Sequence, residues 1–196
     1  MNNLQVDIET LGLDRDAIII QIGAVLYSDD FTEWATFDRS INIDAQEEAG
    51  CTVTQSTMDF WEKEIKEGRV SEEREKYLFA SENYPAEVAG EFSRWLSEQG
   101  EFRIWTNHLL FDAVKLDHFM EKFGAAPFTS STRYNRIEDL ATLKYAAFTI
   151  NPDEAKRQSD MMYADFDGNQ HDAVDDCRFQ MRMHHMYLSI LQGGKP

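Results

Sequence analysis

Asp7-Ile8-Glu9 ends a short apolar stretch, Leu4–Ile8, and a second and longer apolar run, Ala17–Tyr27 (AIIIQIGAVLY), follows eight residues later. Both stretches read as strands, the first of them central. Alternation along a strand turns residues i and i+2 to one face, so Asp7 and Glu9 point the same way, a few ångströms apart. Two like charges at the end of a buried strand are costly unless a cation or a proton shares the site. Asp-x-Glu spacing alone carries little weight. Asp14/Asp16, Glu62/Glu64, Glu73/Glu75 and Asp165/Asp167 repeat it, but only Asp7/Glu9 continues an apolar strand into Thr-Leu-Gly and a second strand.

Around this pair the remaining elements are read from periodicity. Thr32–Ile43 alternates as a third strand, with Asp29-Asp30 as a hairpin turn, so the opening is an antiparallel meander. Thr54–Glu67 has helical spacing at Met58, Trp61 and Ile65. Residues 68–83 are charged and read as a surface excursion. Pro85–Gln99 is an amphipathic helix stopped by Gly100, Phe102–Thr106 a strand, and Leu109–Phe123 a helix ending at Gly124. Pro127–Asn135 reads as a polar loop, Ile137–Phe148 as a short strand or turn running into a helix, Asn151–Asn169 as a polar loop, and His171–Leu191 as a closing helix. Strands first as a meander, then strands alternating with helices, imply an α/β fold with a mixed sheet flanked by helices. A length of 196 residues without an internal linker or repeat suits a single domain over residues 1–196.

The charge bears on partners. With 19 Lys+Arg against 36 Asp+Glu, the formal charge is −17. Such a chain does not hold nucleic acid or an anionic membrane by bulk charge, although bound metal ions can reverse a local field. Residues 1–50 carry 11 acids and two bases, whereas 102–150 carry five acids and six bases: Arg103, Lys115, Lys122, Arg133, Arg136 and Lys144. The last segment is where a phosphate backbone would be guided, by the loop residues Arg133 and Arg136 first. Cys51 and Cys177 stand outside any CxxC or Cys/His cluster and read as reduced thiols of a cytoplasmic protein (the host cytoplasm if phage-encoded), with no membrane span and no structural zinc.

Two further carboxylates join the first pair. Asp112 opens a helix after a strand, where the helix dipole favours it. Asp176 borders the apolar stripe of the closing helix, where a carboxylate is expensive without a partner, and His171 stands five residues before it.

These residues resemble the DEDD 3′→5′ exonucleases, which have a ribonuclease H-like fold. The first motif is Asp7-Ile8-Glu9-Thr10 with IIIQIGAV, the second Trp105…Phe111-Asp112 with Leu116, the third His171-x-Ala173-Val174-x-Asp176-Cys177. His five residues before the last Asp is similar to the His variant of the family; the Tyr variant has Tyr where Asp172 stands. TQSTMDFWEKE over Thr54–Glu64 is similar to the bacteriophage DexA-type exonucleases and a related bacterial exoribonuclease branch. The resemblance covers residues 4 to about 190. It implies that Asp7, Glu9, Asp112 and Asp176 hold two Mg²⁺ or Mn²⁺ ions, with His171 as general base. It also implies release of nucleoside 5′-monophosphates from the 3′ end of single-stranded DNA or RNA. Thr10 and Leu11 would contact the terminal nucleotide, Leu11 as an apolar wedge. Relatives carry Asn where His108 stands here, with Asn107 one earlier, and both are read as substrate contacts. Asp139 reads as a loop organiser, and Trp61 and Phe111 as core rather than base-stacking residues, with Trp105 a further stacking candidate. Oligomeric state is not readable. Two other readings compete: an acidic DNA mimic without catalysis, motivated by the charge of −17, and a nuclease fold that has lost activity, against which all five catalytic positions are filled.

Overall fold

A computed structural model describes residues 1–169 and 171–193. Its centre is a five-stranded sheet in the order β3-β2-β1-β4-β5. The meander is β1 (Asn2–Thr10), β2 (Ile19–Tyr27) and β3 (Glu33–Ser40), antiparallel throughout; β4 (Phe102–Thr106) and β5 (Ile137–Asp139) add in parallel. The mixed, helix-flanked sheet expected from the order of patterns is present, with β1 in the middle.

The alternation in β1 sorts its side chains onto two faces. Leu4, Val6 and Ile8 enter the larger core with Phe92 of α4 (Pro85–Glu98) and Leu116 and Phe119 of α5 (Leu109–Lys122). Gln5, Asp7 and Glu9 face the other way, towards α8 (Ala173–Leu191), where Gln180 donates to Asp7 Oδ1 at 2.8 Å and Gln5 donates to Gln180 Oε1 at 2.7 Å. The strand thus spends one face on the core and reserves the other for polar groups.

Four expectations need correction. Residues 68–83 are no mere surface excursion: they fold as α3 (Glu72–Phe79), with Val70 and Leu78 buried against Leu11, Ile18, Ile20 and Trp61. Acidic side chains on its outer face masked this in the pattern. The stretch 151–169 is largely α7 (Pro152–Ala164), with Asn151 as N-cap and Pro152 in the first turn; only Ala155 and Ser159 bury, too narrow a stripe to register as amphipathic. The third strand stops at Ser40, and the chain turns into α1 (Ile43–Glu48), whose buried Gln46 bonds both the N–H and the C=O of Ile19. The closing helix starts at Ala173, so His171 lies ahead of it. The other two helices are α2 (Gln55–Lys66) and α6 (Leu140–Ile150), and two 3₁₀ turns occupy 128–136. None of these helices is long and apolar enough to cross a membrane, among the described residues.

Gly23 is the point of closest approach. It pairs with Asp7 in the sheet, and a Cβ built on it would lie 2.4 Å from the Ala173 carbonyl carbon. The start of α8 can therefore rest directly on the strand backbone and bring Asp176 to β1. Gly23→Ala must push α8 outward. Overpacking of this kind costs about 1–3 kcal/mol, so urea unfolding should show a loss at or above the top of that range; an unchanged midpoint would contradict the contact.

Candidate active site

The carboxylates come from three elements that converge at one end of the sheet. Asp7 and Glu9 end β1, Asp112 sits in the first turn of α5 beside the end of β4, and Asp176 sits in the first turn of α8. Ligand atoms of Glu9, His171 and Asp176 lie within 4.8 Å of one another, the one such His/carboxylate group among the described residues. Asp7 and Asp112 adjoin it. Burial first, then the Asp112 charge, hold Asp7 well above the usual carboxylate range; burial, then Asp7 and Asp176, do the same for Glu9. Burial lifts Asp112 to about 7, against the opposing pull of the His108 N–H and Lys115. Burial and the charge of Asp7 lift Asp176 to about 8.

Little in the protein compensates this charge. Asp7 accepts from Gln180 and Asp112 from the His108 N–H at 3.1 Å. Glu9 and Asp176 accept no hydrogen bond among the described residues. Four carboxylates with free lone pairs and unrelieved repulsion fit hard divalent cations. They do not fit a mimic of nucleic acid, which would display its carboxylates on an outer face.

His171 has a left-handed backbone (φ 61°), uncommon for a residue with a side chain. Its neighbours hold it there. Asp172 caps α8 by accepting from Val174 and Asp175, and Arg74 of α3 grips its other oxygen at 2.8 Å. Gln21 accepts from the Ala173 N–H at 2.9 Å and also from Arg74. On the other side, Glu64 of α2 stands 3.4 Å from His171 Nε2 and is itself bound by Arg69. Phe60 and Trp61 meet the imidazole edge-on. Burial pushes the His171 pKa below its ordinary value, against the pull of Glu64, and favours the neutral ring.

Glu64 and Arg74 were not singled out in the sequence. Glu64 appeared only as half of a common Asp/Glu spacing, though it lies three residues from Trp61 and so on the same helix face. Arg74 offered no signal in a run of charges.

A cavity of about 390 Å³ opens beside Glu9 and His171, lined also by Thr10, Leu13, Phe60 and Phe111. Leu11 does not reach it: the side chain is 2% exposed and belongs to the core with Ile18 and Trp61, because the chain turns after Thr10 and presents Leu13 instead. Lys115 is buried, donates to the Leu13 carbonyl at 2.6 Å and lies over the Phe111 ring, supporting that wall. Phe111 is half-buried on the wall; Trp61 is core, its indole donating to the Thr10 carbonyl at 3.0 Å. Trp105 is also core, bonded to Asn3. Asp139 caps α6, accepting from Ala141 and Thr142, in keeping with an organising role.

Asn107 and His108 line a second cavity at Asp176. Arg133 and Arg136 do not join the site. They pair with Glu101 ahead of β4, and Ile137, next to Arg136, is level with Ile104 and hence Leu4 in the sheet. At about 3.3 Å per residue Asp7 and Glu9 lie roughly 13–20 Å further along than Arg136. The loop joins the far end of β5, which only the sheet register reveals.

The fold and the family of this chain both find matches among known proteins. A family model described as the 3'-5' exoribonuclease Rv2179c-like domain matches residues 2–188. No curated protein sequence matches. Among solved structures, E. coli exonuclease I with a dA16 oligonucleotide is similar, with TM-score 0.70 and 13% identity over 96% of this chain and 40% of that one. Exonuclease I from Methylocaldum szegediense gives 0.69 and 13%, over 96% and 40%. The zinc-bound E. coli exonuclease I complex with single-stranded DNA gives 0.68 and 14%, over 97% and 41%. The chain spans about two-fifths of the length of these structures, and at such identities they establish the shared ribonuclease H-like fold. The family match lies in the exoribonuclease branch of the resemblance; closeness to the bacteriophage DexA type is not part of it.

The repulsion has a measurable sign. Asp176 titrates near 4 when unfolded and about 8 when folded without metal. Its contribution to stability is therefore present below pH 4 and is lost as pH rises to 8. In EDTA, Asp176→Asn should gain thermal stability over the parent protein, and gain more at pH 8 than at pH 5, by roughly 2–4 °C per kcal/mol relieved. Mg²⁺ should raise the parent's melting temperature more than the variant's. Equal differences at both pH values would refute the account.

Proposed function

The chain belongs to the 3'-5' exoribonuclease Rv2179c-like domain family; from that premise we propose that it is a 3′-5′ exonuclease that hydrolyses the terminal phosphodiester of a single-stranded 3′ end, RNA before DNA, and releases a nucleoside 5′-monophosphate. One observation carries this reading: four carboxylates, Asp112 buried and Asp7, Glu9 and Asp176 half-buried, are crowded together against their own repulsion beside a neutral histidine. The preference for RNA rests on the family match over nearly the whole chain, whereas the DNA-bound neighbours share only the fold.

In this reading Asp7, Glu9, Asp112 and Asp176 would hold two divalent cations, Mg²⁺ or Mn²⁺. When bound, such ions supply the positive charge the cluster lacks and a Lewis acid for phosphoryl transfer. The cavity of Thr10, Leu13, Phe60 and Phe111 takes the terminal nucleoside, with apolar side chains and a ring face for stacking. The His171 imidazole takes the proton of the attacking water. Glu64 stabilises the imidazolium as it forms, and Arg74, through Asp172, keeps the ring at the carboxylates. The free thiols of Cys51 and Cys177 suit a reducing cytoplasm.

Asp7→Ala should abolish mononucleotide release from 3′-end-labelled RNA while the protein stays folded; retained activity would remove the assignment. His171→Ala should lower kcat by about 10²–10⁴. Because burial lowers the His171 pKa, its neutral form survives below pH 6.5, and activity should fall only as pH drops through that lower range. Glu64→Gln removes a charge that raises this pKa, so it should move the acidic limb lower still and reduce kcat at nearly constant KM. A limb unmoved by the substitution would mean Glu64 only packs.

A further inference from the structure

The carboxylate cluster has a cavity on each side. The first, with Glu9 and His171 on its wall, is described above. The second, about 250 Å³, lies between the start of α5 and helices α6, α7 and α8, and is lined by Asn107, His108, Lys144, Tyr163, Asp176 and Phe179. Glu9 of the first and Asp176 of the second bring their oxygens within 4.8 Å of each other. A single phosphodiester at the carboxylates would therefore have one nucleoside-sized space on either side.

The reaction geometry says which side is which. In an in-line displacement the attacking water and the leaving oxygen stand on opposite sides of phosphorus. The proton acceptor, His171, is on the wall of the first cavity, so the leaving 3′ oxygen departs towards the second. Resting on the exonuclease reading, we propose that this second cavity is the subsite for the nucleotide 5′ of the scissile phosphate.

Its chemistry suits that ligand. Lys144 is exposed at the rim and makes no ion pair among the described residues, free to meet the next phosphate along the strand. Tyr163, 61% exposed, packs against Phe179 at 4.9 Å between ring centroids and offers an aromatic face for a base. Gln180 reaches from this cavity to Asp7, linking its floor to the carboxylates. Lys144 is also the one base of the 102–150 segment lining a cavity at the cluster, the place the sequence pattern had assigned to Arg133 and Arg136.

The test compares two substrates with the same terminal nucleotide. The p-nitrophenyl ester of uridine 5′-monophosphate has the scissile phosphate but no nucleoside on the leaving side; the dinucleotide UpU has both. Thymidine counterparts run in parallel cover a deoxyribose preference. Lys144→Ala and Tyr163→Ala, both at exposed positions, should each lower kcat/KM on the dinucleotide at least tenfold more than on the ester. Undiminished cleavage of the dinucleotide, or equal losses on both substrates, would overturn the subsite while leaving the exonuclease reading in place. If the unsubstituted protein cleaved neither substrate with Mg²⁺ or Mn²⁺, the exonuclease reading would fail and the subsite with it.

Discussion

Mutual repulsion among Asp7, Glu9, Asp112 and Asp176 is the constraint to which the rest of the molecule answers. Burial raises the cost of each charge, and each charge raises the cost of its neighbours. A fold gathers such groups only if something else forces them together. Here the force is the apolar side of the same elements: Leu4, Val6 and Ile8 on the reverse face of β1, Leu116 and Phe119 further along α5, Cys177 and Val174 on α8. Hydrophobic burial holds the backbones in place, and the carboxylates are carried to one point because they share those backbones. The missing side chain at Gly23 sets how close α8 can come.

A second layer then decides what the cluster can do. His171 and Asp172 are adjacent in the chain, and each is gripped from a different helix, His171 by Glu64 of α2 and Asp172 by Arg74 of α3. The two helices serve as a brace for the dipeptide that enters α8, which explains why a backbone in the left-handed region is tolerated there. The brace also places one cation, Arg74, behind the acidic cluster, where it partly offsets the charge on Glu9 and Asp176. The balance left for bound cations is smaller than the formal count suggests.

The acidity of the chain takes on a different meaning in this light. A charge of −17 weakens any general grip on a polyanion. A protein that held a strand through two small cavities flanking one phosphate, as proposed here, would need no such grip. On the proposed reading, recognition of an end by one cavity for the last nucleoside and a second before it asks for local complementarity and little else.

The parts of this design that were readable in the chain share a physical origin: they depend on local periodicity. The period of two in β1 put Asp7 and Glu9 on one face, and the helical stripe ending at Leu191 put Asp176 at its border, before any tertiary contact was known. Cys51 and Cys177 as unpaired thiols were legible from their spacing, and Asp139 as an organising residue from the family resemblance, though not as the cap of α6 that it is. What stayed hidden depends on distance in sequence. Helices α3 and α7 bury too few residues to mark a stripe, Leu11 and Leu13 exchange roles through a turn, and Arg133 and Arg136 fall at the wrong end because parallel pairing of β4 and β5 fixes where the loop lies. Glu64 and Arg74 acquire meaning only because the fold brings positions 64 and 74 to 171 and 172. The sequence by itself thus determined which carboxylates could form a site and that the sheet would be mixed; tertiary structure alone decided which side chains brace the histidine and which cavities border the cluster, since those contacts join residues that no local pattern connects.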